Sequence, residues 1–125
     1  MRQATCAADL RGLCTPFAAP QTAAAFAAFS PQGCTYAAHP PQFEADLANF
    51  LLFRGPYAWL GYSWIGCAEM NFTAGLPPSL SLDYGEPLGL CAETAPGSGV
   101  FVREWSQATV QMDCNSWTPT ITMKQ

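Results

Sequence analysis

Charge is the scarcest property of this sequence. Of its 125 residues only 11% are Asp, Glu, Lys or Arg, where soluble domains average about 25%. The basic residues are Arg2, Arg11, Arg54, Arg103 and a single lysine, Lys124, scattered without a patch. Against nine acids they leave a net charge of −4. This composition excludes a charge-rich disordered chain, a coiled coil and a basic nucleic-acid binder. No nucleic acid and no anionic membrane surface is expected as a partner. Histidine is scarcer still: His39 stands alone. With no CxxC, a zinc site lacks its ligands, so neither a metal nor a cofactor is expected. Long apolar runs are missing too. The stretch 22–29 lies between Pro20 and Pro31 and is too short to span a bilayer. No apolar segment follows Met1 and Arg2 as in a signal peptide, so a secretory signal is expected upstream of Met1.

Half of the residues are hydrophobic and 13% are aromatic, with 11 Pro, 10 Gly and 6 Cys. That balance resembles the interior of a larger protein more than a self-sufficient small domain. Cys6, Cys14, Cys34, Cys67, Cys91 and Cys114 are an even, widely spaced set. They point to disulfides, hence to an extracellular or secretory-pathway location, although spacing alone assigns no pairing. Asn71-Phe72-Thr73 is an N-glycosylation sequon and agrees with that compartment.

Along the chain, residues 1–41 read as an irregular Ala/Pro/Cys-rich segment, with two or three helical turns over 21–30 and Thr22 as their N-cap. Residues 42–54 carry the clearest helix. Phe43, Leu47, Phe50 and Leu51 share one face, Glu44 and Asp46 suit its N-terminal end, and Gly55-Pro56 stops it. YAWLGYSWI, residues 57–65, is a strand without polar alternation, the pattern of a strand buried on both faces in a parallel sheet. One helix and one such strand cannot cover each other, so partner strands are expected. Residues 66–98 are Gly/Pro-rich loop, bracketed by Cys67 and Cys91, which are placed to form a tie. The chain therefore divides at 1–41, 42–98 and 99–125. The last part alternates as a hairpin about Ser106-Gln107, with Val110, Met112 and Cys114 on one face and residues 120–123 as a short third strand. The fold class is α+β.

The chemistry is carried by few residues. Glycosidases use two carboxylates flanking the cleaved bond. Glu69 follows the aromatic strand, where barrel strands present functional groups, and is the candidate catalytic carboxylate; a solvated loop position explains it as well. Asp83 and Glu86 flank Tyr84-Gly85 and are candidates for sugar hydroxyls, though a turn accounts for them equally. Tyr62 and Trp64 end the strand, with Tyr57 and Trp59 before them. Such rings stack on pyranose faces, and core packing is their competing role. There is no G-x-S-x-G elbow for His39 to serve, no P-loop and no GxGxxG after a strand.

Two blocks, FLLFRGPYAWLGYSW over residues 50–64 and DYGEPLGLCAETAPGSGVFVREWSQATVQMDCNSW over 83–117, together resemble the C-terminal part of glycoside-hydrolase-like (βα)8-barrel proteins. There a helix ending near "RG" leads into an aromatic last barrel strand, and a "dYGxPxG" loop precedes a terminal "GVFxRxF/W…TVxxD" hairpin. The resemblance covers residues 42–123. It implies a partial barrel end, with Tyr62 and Trp64 facing a carbohydrate cleft and the catalytic carboxylates on earlier strands that this chain does not contain. The chain alone is then expected to be catalytically silent and to need the remainder of the parent barrel. The alternative is a self-standing, disulfide-stapled secreted module that binds carbohydrate or protein through exposed aromatics.

Overall fold

A computed structural model describes residues 2–15, 24–28, 35–36, 43–55, 58–62, 71–72 and 77–125. The fold class is α+β. Its elements are α1 (Gln3–Leu13), β1 (Ala24–Ala28), β2 (Thr35–Tyr36), α2 (Phe43–Phe53), β3 (Ala58–Tyr62), β4 (Asn71–Phe72), a 3-10 turn (Pro78–Ser81), β5 (Ala92–Glu93), β6 (Val100–Glu104), β7 (Ala108–Asp113) and β8 (Thr118–Met123).

The C-terminal strands form an antiparallel sheet in the order β5-β6-β7-β8. Period-two patterning sets its register. Val110 opposes Arg103 and Ile121, and Met112 opposes Phe101 and Pro119. Phe101, Ala108, Val110 and Met112 consequently turn inward as a nearly solvent-free layer, while Gln111 and Asp113 keep the other face partly wet. The expected third strand is present and longer than its sequence signal, because residues 118–119 also pair with β7.

Helix α2 lies against β6, β7 and β8. It is buried almost all round, including Asp46 and Asn49, and only Glu44 is exposed in its first turns. A helix apolar on every side is covered on more than one face. Leu60 of β3 packs on the same core, on which Cys6 and Leu10 of α1 also close.

The N-terminal part is more ordered than its composition implies. Helix α1 takes up residues 3–13 within the segment read as irregular. Residues 24–28, read as helical turns from their alanines, form a strand instead. They pair in parallel with β3, Ala24 opposite Ala58 and Ala28 opposite Tyr62. Helix propensity favours alanine by only tenths of a kcal/mol per residue, and a ladder to a neighbouring strand outweighs it. Thr22 lies outside the described residues. β2 and β4 form a second, shorter parallel pair.

Two disulfides hold α1 to the far end of the chain. Cys6 bonds Cys114, and Cys14 bonds Cys91. The second corrects the expected Cys67–Cys91 tie: Cys91 faces α1, and Cys67, like Cys34, lies outside the described residues. Between these links Arg11 forks onto the carboxylate of Glu93, and Gln3 Nε2 donates to the Asn115 carbonyl at 2.7 Å. The helix is thus attached at its start to the turn after β7 and at its end to β5. Disulfides persist in oxidising compartments, and no described helix is long and apolar enough to cross a membrane.

Candidate functional site

A concavity lies where the end of α2 meets the sheet. It is built by the segment 84–88, which runs antiparallel to 104–107. Gln107 N donates to Tyr84 O, Ser106 N to Glu86 O at 2.8 Å, and Leu88 N to Glu104 O at 2.9 Å. Ser106 Oγ returns a bond by accepting from Glu86 N at 2.9 Å. Gly85 makes this approach possible. Its φ is +79°, and any Cβ there would collide with Ser106 Oγ and crowd Gln107.

Beneath this segment sits Arg103, only 5% exposed. Alternation along β6 turns Phe101, Arg103 and Trp105 inward together, and α2 supplies what a buried guanidinium requires. Arg103 Nη1 donates to the carbonyls of Leu51 and Leu52, both at 3.2 Å, and to that of Arg54 at 2.8 Å, while Nε donates to Gly89 O at 2.8 Å. The last carbonyls of a helix lack intrahelical donors and carry its partial negative charge. Arg103 therefore caps α2 from the sheet side. Burial, followed by repulsion from Arg54, pulls the Arg103 pKa below its ordinary value.

Arg54 leaves the end of α2 toward the same place. Its guanidinium lies 5.5 Å from the Phe50 ring centroid and 5.6 Å from that of Trp105, over which Arg103 also lies at 5.2 Å. These are cation–π contacts. Arg54, Gly55, Gly85, Glu86, Pro87, Arg103 and Trp105 line a cavity of about 200 Å³. Neither arginine is ion-paired among the described residues. The buried Trp105 Nε1 has no acceptor among the described residues. The cavity contributes two guanidinium groups and one carboxylate, Glu86, a set suited to holding a ligand. It lacks the second carboxylate of a glycosidase pair.

The residues singled out from the sequence do not gather here. Asp83 is exposed, and its Oδ1 accepts from Gly85 N at 2.9 Å, closing the turn that sets up the 84–88 segment. Tyr62 is the last residue of β3, opposite Ala28, so its position at a strand end is as expected. Trp59 lies earlier in the same strand, opposite Ala25. Trp64 and Glu69, with Tyr57 and His39, lie outside the described residues. Among the described residues no group of His, Cys, Asp or Glu is arranged to hold a metal. Glu86 is the sugar-hydroxyl candidate and Arg54 the helix end of the sequence pattern; Arg103 and Trp105 are site residues that the pattern did not single out. The signal was available: an arginine at an inward position of an alternating strand needs a buried acceptor. Comparison with protein-family models and with characterised proteins finds no match for this chain.

Proposed function

We propose that the chain is the C-terminal part of a secreted glycoside-hydrolase-like barrel protein, in which β3 and the residues after it border a carbohydrate cleft. One observation carries the reading: the β1-α2-β3 unit. Two parallel strands joined through a helix are the repeating unit of a barrel. In β1 and β3 the pair has no further strand on either edge among the described residues. A two-stranded sheet is marginal by itself, and parallel sheets are ordinarily covered on both faces. Further strands of the parent supply what this pair needs. Tyr62 ends β3, and barrel proteins place their sites at such strand ends; Trp64 follows it by two residues in the sequence. Catalytic carboxylates belong to the earlier strands, so the chain alone is catalytically silent. Sequencing the complete transcript tests this. Several βα units with two acidic strand ends should continue in frame ahead of Met1, and a stop codon immediately ahead of it overturns the reading.

A second reading has its own support in the disulfides. Cys6–Cys114 and Cys14–Cys91 join the first helix to the last sheet, as in a self-standing secreted module that binds sugar or protein. A cooperative melt of the purified chain, with no titratable thiol and with glycan binding abolished by Trp64→Ala, favours this module. An aggregating or molten product returns the argument to the barrel end.

A further inference from the structure

We propose that the cavity between α2 and the 84–88 segment is a binding site for one small oxyanion, the carboxylate or phosphate group of a ligand. The two guanidiniums at this cavity are only partly compensated. Arg103 spends Nε and Nη1 on Gly89 and on the carbonyls ending α2. The end of a helix offsets only about half a unit charge. Its Nη2 has no acceptor among the described residues, and Arg103 lines the cavity. Among the described residues Arg54 is compensated by no carboxylate or carbonyl; its contacts there are the faces of Phe50 and Trp105. Holding two guanidiniums beside one indole with no ion pair to either is costly, and burial with mutual repulsion already disfavours the charge on Arg103. A planar guanidinium fork matches two oxygens of one carboxylate or phosphate. A volume of about 200 Å³ falls below the roughly 300 Å³ at which small-molecule pockets begin, so it admits a charged group rather than a whole ligand.

Glu86 lines the same cavity and makes no ion pair with either arginine. Its carboxylate opposes an incoming anion and keeps the empty site from being strongly cationic. Trp105 offers no stacking face to a sugar, because it is 2% exposed. Recognition here is by charge. The proposal does not depend on the barrel reading, since every group it uses lies in 50–55 and 85–105.

The test is titration of the full chain with inorganic phosphate, glucuronate and glucose, followed through the indole N–H resonance of Trp105. Phosphate, glucuronate or both shift that resonance saturably, and which of them does so names the source of the oxyanion; glucose does not. Arg54→Gln weakens the binding at least about tenfold, the loss of one charge-assisted fork. Arg54→Lys falls between, and Glu86→Gln tightens it. Saturable binding unaltered in Arg54→Gln overturns the proposal, as does the absence of any shift with both anions. Glucose binding equal to glucuronate also overturns it while leaving a carbohydrate function standing.

Discussion

Arg103 Nη1 lies 2.8 Å from the carbonyl oxygen of Arg54, so a side chain of the sheet terminates the helix that covers it. This contact, with those to Leu51 and Leu52, couples the packing of α2 to β6. Arg103→Ala strips the donor from the end of α2 and from Gly89. The expected loss is about 2–4 kcal/mol in urea unfolding, since buried acceptors lose their partners. Arg103→Lys recovers only part of it, because one ammonium does not reproduce the spread of Nε and Nη1.

Asn49 makes the opposite case. It is fully buried in α2, and neither amide atom has a hydrogen-bond partner among the described residues. Asn49→Leu, close in volume, removes an unsatisfied amide from the interior. A stabilisation of about 1–2 kcal/mol is expected. An unchanged or lowered urea midpoint contradicts it.

The Cys6–Cys114 bond spans a sequence separation of 108. Closing so long a loop restricts the unfolded chain, and its removal in a Cys6→Ala/Cys114→Ala double variant is expected to lower stability by about 2–5 kcal/mol. Peptide mapping without reduction should recover Cys6 with Cys114 and Cys14 with Cys91. A Cys67–Cys91 peptide contradicts the arrangement.

Gly85 has both a positive φ and no room for a Cβ beside Ser106. Gly85→Ala is expected to cost about 1–3 kcal/mol and to detach the 84–88 segment. Loss of hydrogen-exchange protection at Ser106 N and Leu88 N reads this directly. Retained protection contradicts it.

Acid should loosen the surface ties. Hydrogen bonds from Arg11 hold the Glu93 carboxyl below its ordinary pKa, those from Lys124 and then Thr109 do so for Glu104, and the Asn115 backbone N–H does so for Asp113. A carboxylate with a lowered folded-state pKa contributes stability that is present above its unfolded value. That contribution is lost as pH falls below about 4 and through the folded value. Glu93→Gln should flatten the acid limb of the stability profile, and an unchanged limb contradicts it. The effect is small because Glu104 is exposed and Glu93 and Asp113 keep contact with solvent.

Much of the fold was legible where a local period coincides with burial. The helix over 42–54 and the hairpin about Ser106-Gln107 followed from spacings of three to four and of two, and the structure differs there by a residue or so at the ends. The candidate site was less legible. Asp83 serves its own turn, while the cavity is lined by Arg54 and Arg103, which meet only through the packing of α2 on β6.

What the sequence determined by itself, then, is its low charge, one apolar helix, an alternating terminal sheet and an α+β class, because periodicity and composition act within a dozen residues. Tertiary structure decided the rest. It drew the alanines of 24–28 into a strand beside β3, paired Cys91 with Cys14, and set Arg103 under the end of α2. Each of these depends on a partner tens of residues away, and only the folded chain brings donor, acceptor or thiol within bonding distance.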